Sequence, residues 1–379
     1  MRTPAVEEVS VRFSYYLNPQ TPGPDDDERV IDEVFGQLEL ARSMGFTDAW
    51  ITEHHFTGYN VYSDPTTMAA AVSQRVPGMR IGFAVAVVAL AHPIRFVTQC
   101  NLLDQLTKGK LVVGVGSGNA PDEYDGFGLD RDERYERMHE FLDVCDLAWE
   151  PPSPDGFEHH GKYFDFEVHG RIIPAPIQRP RPHIAVATGT PERIEMAGRR
   201  GWSLLLGPQD VEFIAARLQY YFKGMDDAGL GAEERARAWQ HTSLVRQLYV
   251  AEDGEDWLEE LDDVLDTYTR KSLRANTGID DLPKDDMAKR RAEYLKHGWL
   301  HAGTADEVFE RLRPFAELGI SNLMCWFNFG HMADERIRAS MTRFHERVMP
   351  RLQEIKPRED LLPALIEVNR DLATVASIP

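Results

Sequence analysis

The side chains of this chain best suited to chemistry are Glu53-His54-His55-Phe56-Thr57, which follow the run Ala49-Trp50-Ile51-Thr52 and break at Gly58. Strand alternation sends Trp50, Thr52 and His54 to one face and Ala49, Ile51 and Glu53 to the other. A strand ending in a carboxylate and two imidazoles can deliver a general acid or base into a site; it can equally be a polar strand end meeting solvent. A second group, Thr188-Gly189-Thr190-Pro191, stands at a strand-to-helix junction. Glycine there permits close backbone approach, Thr190 can cap, and Pro191 presets the first turn. The free N–H groups of such a helix start suit a phosphate, with Arg193, one turn in, adding charge. An ordinary capped helix has the same pattern. Gly114-Val115-Gly116-Ser117-Gly118 looks like a dinucleotide fingerprint, but its spacing is not G-x-G-x-x-G and Asn119-Ala120-Pro121 opens no helix directly. The Rossmann reading is rejected; a glycine-lined strand end against which a flat ring lies, or a tight turn, remains.

Other chemistries find less support. His54, His55 and His92, with Glu53, Asp64 or Asp104, could suggest a metal, yet there is no H-x-H or H-E-x-x-H, and His159-His160 falls in a Pro-rich stretch. No metal is expected. No G-x-S-x-G elbow occurs. The net charge of −20 repels nucleic acid and anionic membranes. It also gives no long-range help in collecting a phosphate-bearing ligand, which must be held by local dipoles and a nearby Arg. Cys100, Cys145 and Cys325 are far apart and fit a reducing compartment. Met1 to Ser10 carries no signal-peptide pattern, and the longest apolar stretch, Ile81 to Ala91, is too short for a bilayer. The expectation is a soluble, cytoplasmic protein.

The elements that would position these groups alternate regularly. Strands are predicted at Val9–Leu17, Phe46–Thr52, Arg80–Val88, Lys110–Val115, His183–Ala187, Trp202–Leu206, Thr242–Val250 and Ser321–Phe327, with helices between most of them. Residues 116–130 are read as an irregular loop. Eight such alternations imply a parallel sheet that closes most simply into a (β/α)8 TIM barrel, an open doubly wound sheet being the competitor. Residues 1–350 form one barrel domain. Within it, 151–182 is a surface arm, and 252–301 is a candidate lid of the kind barrels carry at the C-terminal face. Residues 351–379 are a tail.

In this order and spacing, the chain resembles the bacterial luciferase-like flavin-dependent monooxygenases. The resemblance is carried by Glu53 to Thr57, Ala89-Leu90-Ala91-His92-Pro93, and Asn101-Leu102-Leu103-Asp104-Gln105 with Gly109-Lys110. It continues through Ala187 to Glu192, Gly303-Thr304, Ala339-Ser340-Met341 and Val348-Met349-Pro350. It implies a barrel that takes reduced FMN from a separate NAD(P)H:flavin reductase and forms a C4a-peroxyflavin with O2, oxygenating a small organic substrate by hydroxylation or Baeyer–Villiger chemistry. By matched position, His54 is the catalytic imidazole, either a general base or a hydrogen-bond partner of the peroxide. Ala84 and Val85 stand where the family places the flavin ring, often with a non-prolyl cis peptide. Gly116, Ser117 and Gly118 match the loop beside ring and phosphate, and Thr188, Gly189 and Thr190 the phosphate cradle. The light-emitting luciferase subunit has a reactive cysteine at the position of Gly116 and an arginine at that of Ser117. Their loss argues against light emission and leaves the phosphate charge to Arg193 or elsewhere. Barrels of this resemblance commonly form homodimers. The rivals are an F420-dependent oxidoreductase of the same fold, a metal-dependent barrel hydrolase and a flavin-binding protein without turnover.

Overall fold

In chain order the strands of the computed structural model are β1 (Arg12–Leu17), β2 (Asp48–Ile51), β3 (Arg80–Phe83), β4 (Ala86–Val87), β5 (Leu111–Gly116) and β6 (Phe157–His160), then β7 (Asp165–Val168), β8 (His183–Ala187), β9 (Ser203–Leu206), β10 (Ser243–Val250), β11 (Leu300–Gly303) and β12 (Asn322–Trp326). The structure describes residues 11–150, 156–279, 285–296 and 298–363, so the N-terminal ten residues and most of the expected tail lie outside it. β1, β2, β3, β5, β8, β9, β10 and β12 pair in that sequence, all in parallel, and β12 returns to β1. The sheet is therefore a closed eight-stranded barrel and not the open alternative.

The helices are α1 (Asp27–Ser43), α2 (Pro65–Arg75), α3 (Pro93–Leu106), α4 (Pro121–Phe127), α5 (Arg134–Trp149), α6 (Pro191–Arg199) and α7 (Val211–Asp227), followed by α8 (Ala232–His241), α9 (Trp257–Thr277), α10 (Asp285–Lys296), α11 (Ala305–Glu317), α12 (Asp334–Arg347) and α13 (Met349–Gln353). Alternation divides each strand as its sequence dictates. Trp50, Val112, Ala185, Leu205 and Met324 meet inside the barrel, while Ala49, Ile51, Ile81 and Val113 face the helices. Gly82 leaves the room that the indole fills, since a Cβ there would lie 2.4 Å from the Trp50 ring.

Four local features differ from the sequence reading. The segment expected as one strand, Arg80–Val88, is interrupted at a cis Ala84–Val85 peptide, giving β3 and β4. The supposed loop after Gly118 contains α4, which begins with Pro121, has Asp122 and Glu123 in its first turn, and stops at Gly128 with φ +68°. A short helix, α8, stands between α7 and β10. The segment 252–301 holds two helices and ends inside β11, which extends the edge of β10 beyond its pairing with β12. In the arm, β6 and β7 form an antiparallel hairpin. The arm is pinned by the motif at α3: Asp104 accepts from the N–H groups of Ile177 and Gln178, and Asn101 and Gln105 donate to the carbonyls of Pro174 and Ala175.

The helices α6 and α7 approach backbone to backbone. A Cβ on Gly198 would lie 2.1 Å from the Tyr221 carbonyl oxygen, and one on Gly224 2.1 Å from that of Glu195. Gly198→Ala gains about 1 kcal/mol of helix propensity but must push α7 outward. We expect a net loss of about 1–2 kcal/mol in urea unfolding, because overpacking against rigid backbone outweighs propensity.

At the opposite end of the barrel, His183 and His241 pack ring to ring at 4.7 Å. Ser203 donates to the Ala238 carbonyl and so accepts from His183 Nε2 at 2.7 Å, which places a proton on Nε2. Burial, with Arg181, Arg237 and Arg80 nearby, lowers His183 to about 3; burial and the facing His183 push His241 well below its ordinary value. The unfolded chain binds these protons first, so stability is lost as pH falls below about 6.5. The slope approaches about 1.4 kcal/mol per pH unit for each ring. Urea midpoints between pH 7.5 and 4.5 should fall accordingly, and the double His→Gln variant should flatten that dependence.

Candidate functional site

A cavity of about 440 Å³ opens at the C-terminal ends of the strands, where barrels build their sites. Leu205 and Met324 belong both to its wall and to the barrel-interior cluster around Trp50. Ala84 and Val85 line one side, and Thr188 and Gly189 another. The loop Gly207-Pro208-Gln209 and the α7 residues Phe213, Ile214 and Arg217 close it, with Tyr16 and Val245 also on the wall. The lining is largely apolar; among the described residues it contains no carboxylate, and Arg217 is its one cation. Tyr16 donates to the Ala84 carbonyl at 3.3 Å and so ties β1 to the bend after β3.

Beside this slot the Glu53–His55 segment forms two carboxylate–imidazole pairs. Glu123 of α4, 1 % exposed, accepts at Oε1 from the His55 backbone N–H at 2.9 Å and meets His54 Nδ1 at 3.2 Å. A carboxylate already accepting from one N–H accepts from the other, so Nδ1 carries a proton toward Glu123 and Nε2 is the nitrogen left to face other groups. Nε2 has no hydrogen-bond partner among the described residues. The ring stands edge-on to Tyr59 at 4.8 Å. Glu53 reaches the other way: Oε2 accepts from the Val87 N–H at 2.7 Å and Oε1 from His55 Nε2 at 3.0 Å. Burial pushes the Glu53 carboxyl up, against these two hydrogen bonds. Burial also opposes charge on His55, but the bond to Glu53 and the charges of Glu53, Glu123 and Asp64 hold it above its ordinary value.

The positions expected from sequence are thus divided. Ala84, Val85, Thr188 and Gly189 share the cavity wall; His54, Gly116, Ser117, Gly118, Thr190 and Arg193 do not line it. The space beside the two glycines is filled by protein: a Cβ on Gly116 would lie 2.8 Å from Val85, and one on Gly118 2.6 Å from Val87. The Ser117 hydroxyl turns to the Gly118 carbonyl, and its own carbonyl accepts from the Tyr124 hydroxyl. Thr190 occupies the N-cap of α6 but its hydroxyl makes no cap bond. The Arg193 guanidinium lies 3.5 Å from the Tyr135 ring centroid. Glu123 was hidden because its segment reads as loop, although Pro121-Asp122-Glu123 is a helix-start pattern. Arg217 was legible only as a position on an amphipathic helix, one turn after Phe213.

The candidate lid supplies a further layer. α9 buries Tyr268, whose hydroxyl accepts from that of Tyr59 at 3.4 Å and whose ring meets Trp326 at 5.3 Å. Arg274 pairs with Asp122 at 2.7 Å, next to Glu123 on α4. Among the described residues no three His, Cys, Asp or Glu side chains converge as metal ligands, and no helix is long and apolar enough to cross a membrane.

A flavin phosphate fits this cavity's polar end. Thr188 Oγ1 and Arg217 Nε are buried without a hydrogen-bond partner, and both residues line it. Comparison with known proteins identifies the family. The chain is 24% identical over 97% of its length to the flavin-dependent trigonelline monooxygenase, oxygenase component, of Acinetobacter baylyi, covering 100% of that protein. Among solved structures, monooxygenase RslO1 from Streptomyces bottropensis superposes with TM-score 0.77 at 24% identity, over 90% of this chain and 99% of that one. The oxygenating constituent of 3,6-diketocamphane monooxygenase from Pseudomonas putida, in complex with FMN, gives 0.73 at 16%, over 92% and 100%. The sequence pattern of the luciferase-like monooxygenases matches residues 11–322, and the chain therefore belongs to that family and is a flavin-dependent monooxygenase.

Proposed function

We propose that the protein is the oxygenase of a two-component system, using reduced FMN from a separate NAD(P)H:flavin reductase and O2 to oxygenate a small organic substrate. The observation that carries this reading is the one cavity that joins Ala84–Val85 to Thr188–Gly189 and Arg217. It is an apolar slot for a flat ring with a cationic end for a phosphate. Reduced FMN, when bound, supplies the electrons that activate O2. Ala84, Val85, Tyr16 and Met324 hold the ring, and Thr188 and Gly189 receive the phosphate. His54 Nε2 accepts a proton from substrate or donates a hydrogen bond to the oxygen-derived group, according to its protonation. α9, docked through Tyr268 and Arg274, excludes water. Leu102, Ile173 and Ile177 are exposed on α3 and the arm, apolar surface that a second copy would cover in a homodimer. The three cysteines are free and buried, which suits a reducing cytoplasm.

An F420 cofactor on the same barrel would bring a polyglutamate tail, and a wall with one cation offers it little. The reading is tested by loading the protein anaerobically with reduced FMN and mixing it with O2. Reoxidation markedly slower than that of free reduced flavin is expected. Reoxidation at the free-flavin rate, together with tighter binding of reduced F420, would refute it.

A further inference from the structure

The geometry points to Arg217, on α7, as the residue that binds the flavin 5′-phosphate and makes the protein select FMN over unphosphorylated riboflavin. The inference rests on the FMN reading above. In a chain of net charge −20, the cavity wall has, among the described residues, no Asp or Glu and a single cation. That cation is not consumed by a carboxylate: its ring contact is with Phe213 at 4.8 Å, and its Nε is buried without a partner. Of the two acids at the start of its own helix, Asp210 and Glu212, Asp210 is engaged as the α7 N-cap, accepting from the Phe213 N–H at 2.7 Å, and neither lines the cavity.

Position supports the assignment. Phe213 and Arg217 are four residues apart and share one helical face. The mutual close approach of Gly198 and Gly224 sets α7 directly against α6. That contact carries Arg217 to the cavity shared with Thr188, whose hydroxyl is the other unpartnered buried group there. α6 adds its uncapped first turn at Thr190 and the positive end of its dipole. Arg193, the cation that sequence favoured, is stacked on Tyr135 off the cavity wall. A guanidinium presented edge-on to a phosphate makes paired charge-assisted hydrogen bonds, and riboflavin offers it nothing to bind.

The experiment is anaerobic equilibrium dialysis of reduced FMN and reduced riboflavin against the wild type, Arg217→Ala, Arg217→Lys and Arg193→Ala. The wild type should prefer FMN. Arg217→Ala should weaken FMN binding by about 10- to 100-fold and leave riboflavin binding unchanged, which also shows that the variant is folded. Arg217→Lys should recover part of the loss, and Arg193→Ala should resemble the wild type. A preference for FMN that survives Arg217→Ala overturns this inference alone, as does its loss on Arg193→Ala. So does an Arg217→Ala variant that binds FMN normally but has a raised KM for an anionic substrate. A wild type that binds neither flavin overturns the FMN reading itself.

Discussion

His54→Ala is expected to lower product formation by about 10²- to 10⁴-fold, the range for a positioned general acid–base group. Affinity for reduced FMN should stay within a few-fold, since His54 is not on the cavity wall. Oxygen uptake should continue and yield peroxide, so the lost quantity is coupling. The expectation follows from how the ring is held. Glu123 fixes the tautomer through Nδ1 and leaves Nε2 for chemistry, and Tyr59 sets the ring's tilt from the side. Glu123 is buried and also accepts from the His55 backbone, so it acts on the position of the ring and not on the reacting atoms. Glu123→Gln keeps an acceptor oxygen for the Nδ1 proton but loses the charge that stabilises an imidazolium. It should lower kcat by less than His54→Ala and shift the pH profile. Glu123→Ala frees the ring and should approach the His54→Ala value. Product yield per reduced FMN decides the matter: a His54→Ala variant with wild-type coupling would remove the imidazole from the mechanism.

Much of the barrel was legible because its signal is local. Period-two alternation puts Trp50 inside and Ala49 and Ile51 outside, as the structure shows, and glycine stops such as Gly45 (φ +86°) mark real helix ends. The site was legible only where it is made of strand ends. Ala84, Val85, Thr188 and Gly189 follow their strands directly into the cavity. What was missed arrives by helix packing or by distant pairing. Glu123 reaches His54 across 69 positions, and Arg217 reaches the cavity because two glycines let α6 and α7 touch. The space beside the glycines at 116 and 118 is taken by Val85, in the bend after β3, and by Val87 of β4, a packing that a glycine motif alone does not tell apart from room for a ligand. β11 was missed because the segment holding it reads as a charged insertion, whereas its four buried residues pair with the upper part of β10.

Trp50→Ala should have the largest effect on stability, a loss of about 3–5 kcal/mol in urea unfolding. The indole is fully buried, fills the barrel interior with Val112, Ala185, Leu205 and Met324, and sits in the space that Gly82 vacates. Closed barrels relax poorly around such a hole, because each wall strand is bonded on both sides. Trp50→Phe should be much milder. It removes less volume, and it also removes an indole N–H that has no hydrogen-bond partner in the folded chain, a group whose burial costs about 1–3 kcal/mol. The variants also bear on the site. Leu205 and Met324 separate the indole from the ligand cavity, so Trp50→Ala should loosen the cavity's inner wall and weaken binding of reduced FMN and riboflavin alike. That pattern differs from the FMN-selective loss expected at Arg217. Added indole should restore part of the lost stability by occupying the hole, in proportion to RT ln(1 + [L]/Kd). A Trp50→Ala protein within about 1 kcal/mol of the wild type would show that the barrel interior collapses around the deletion, and that Trp50 does not brace the cavity.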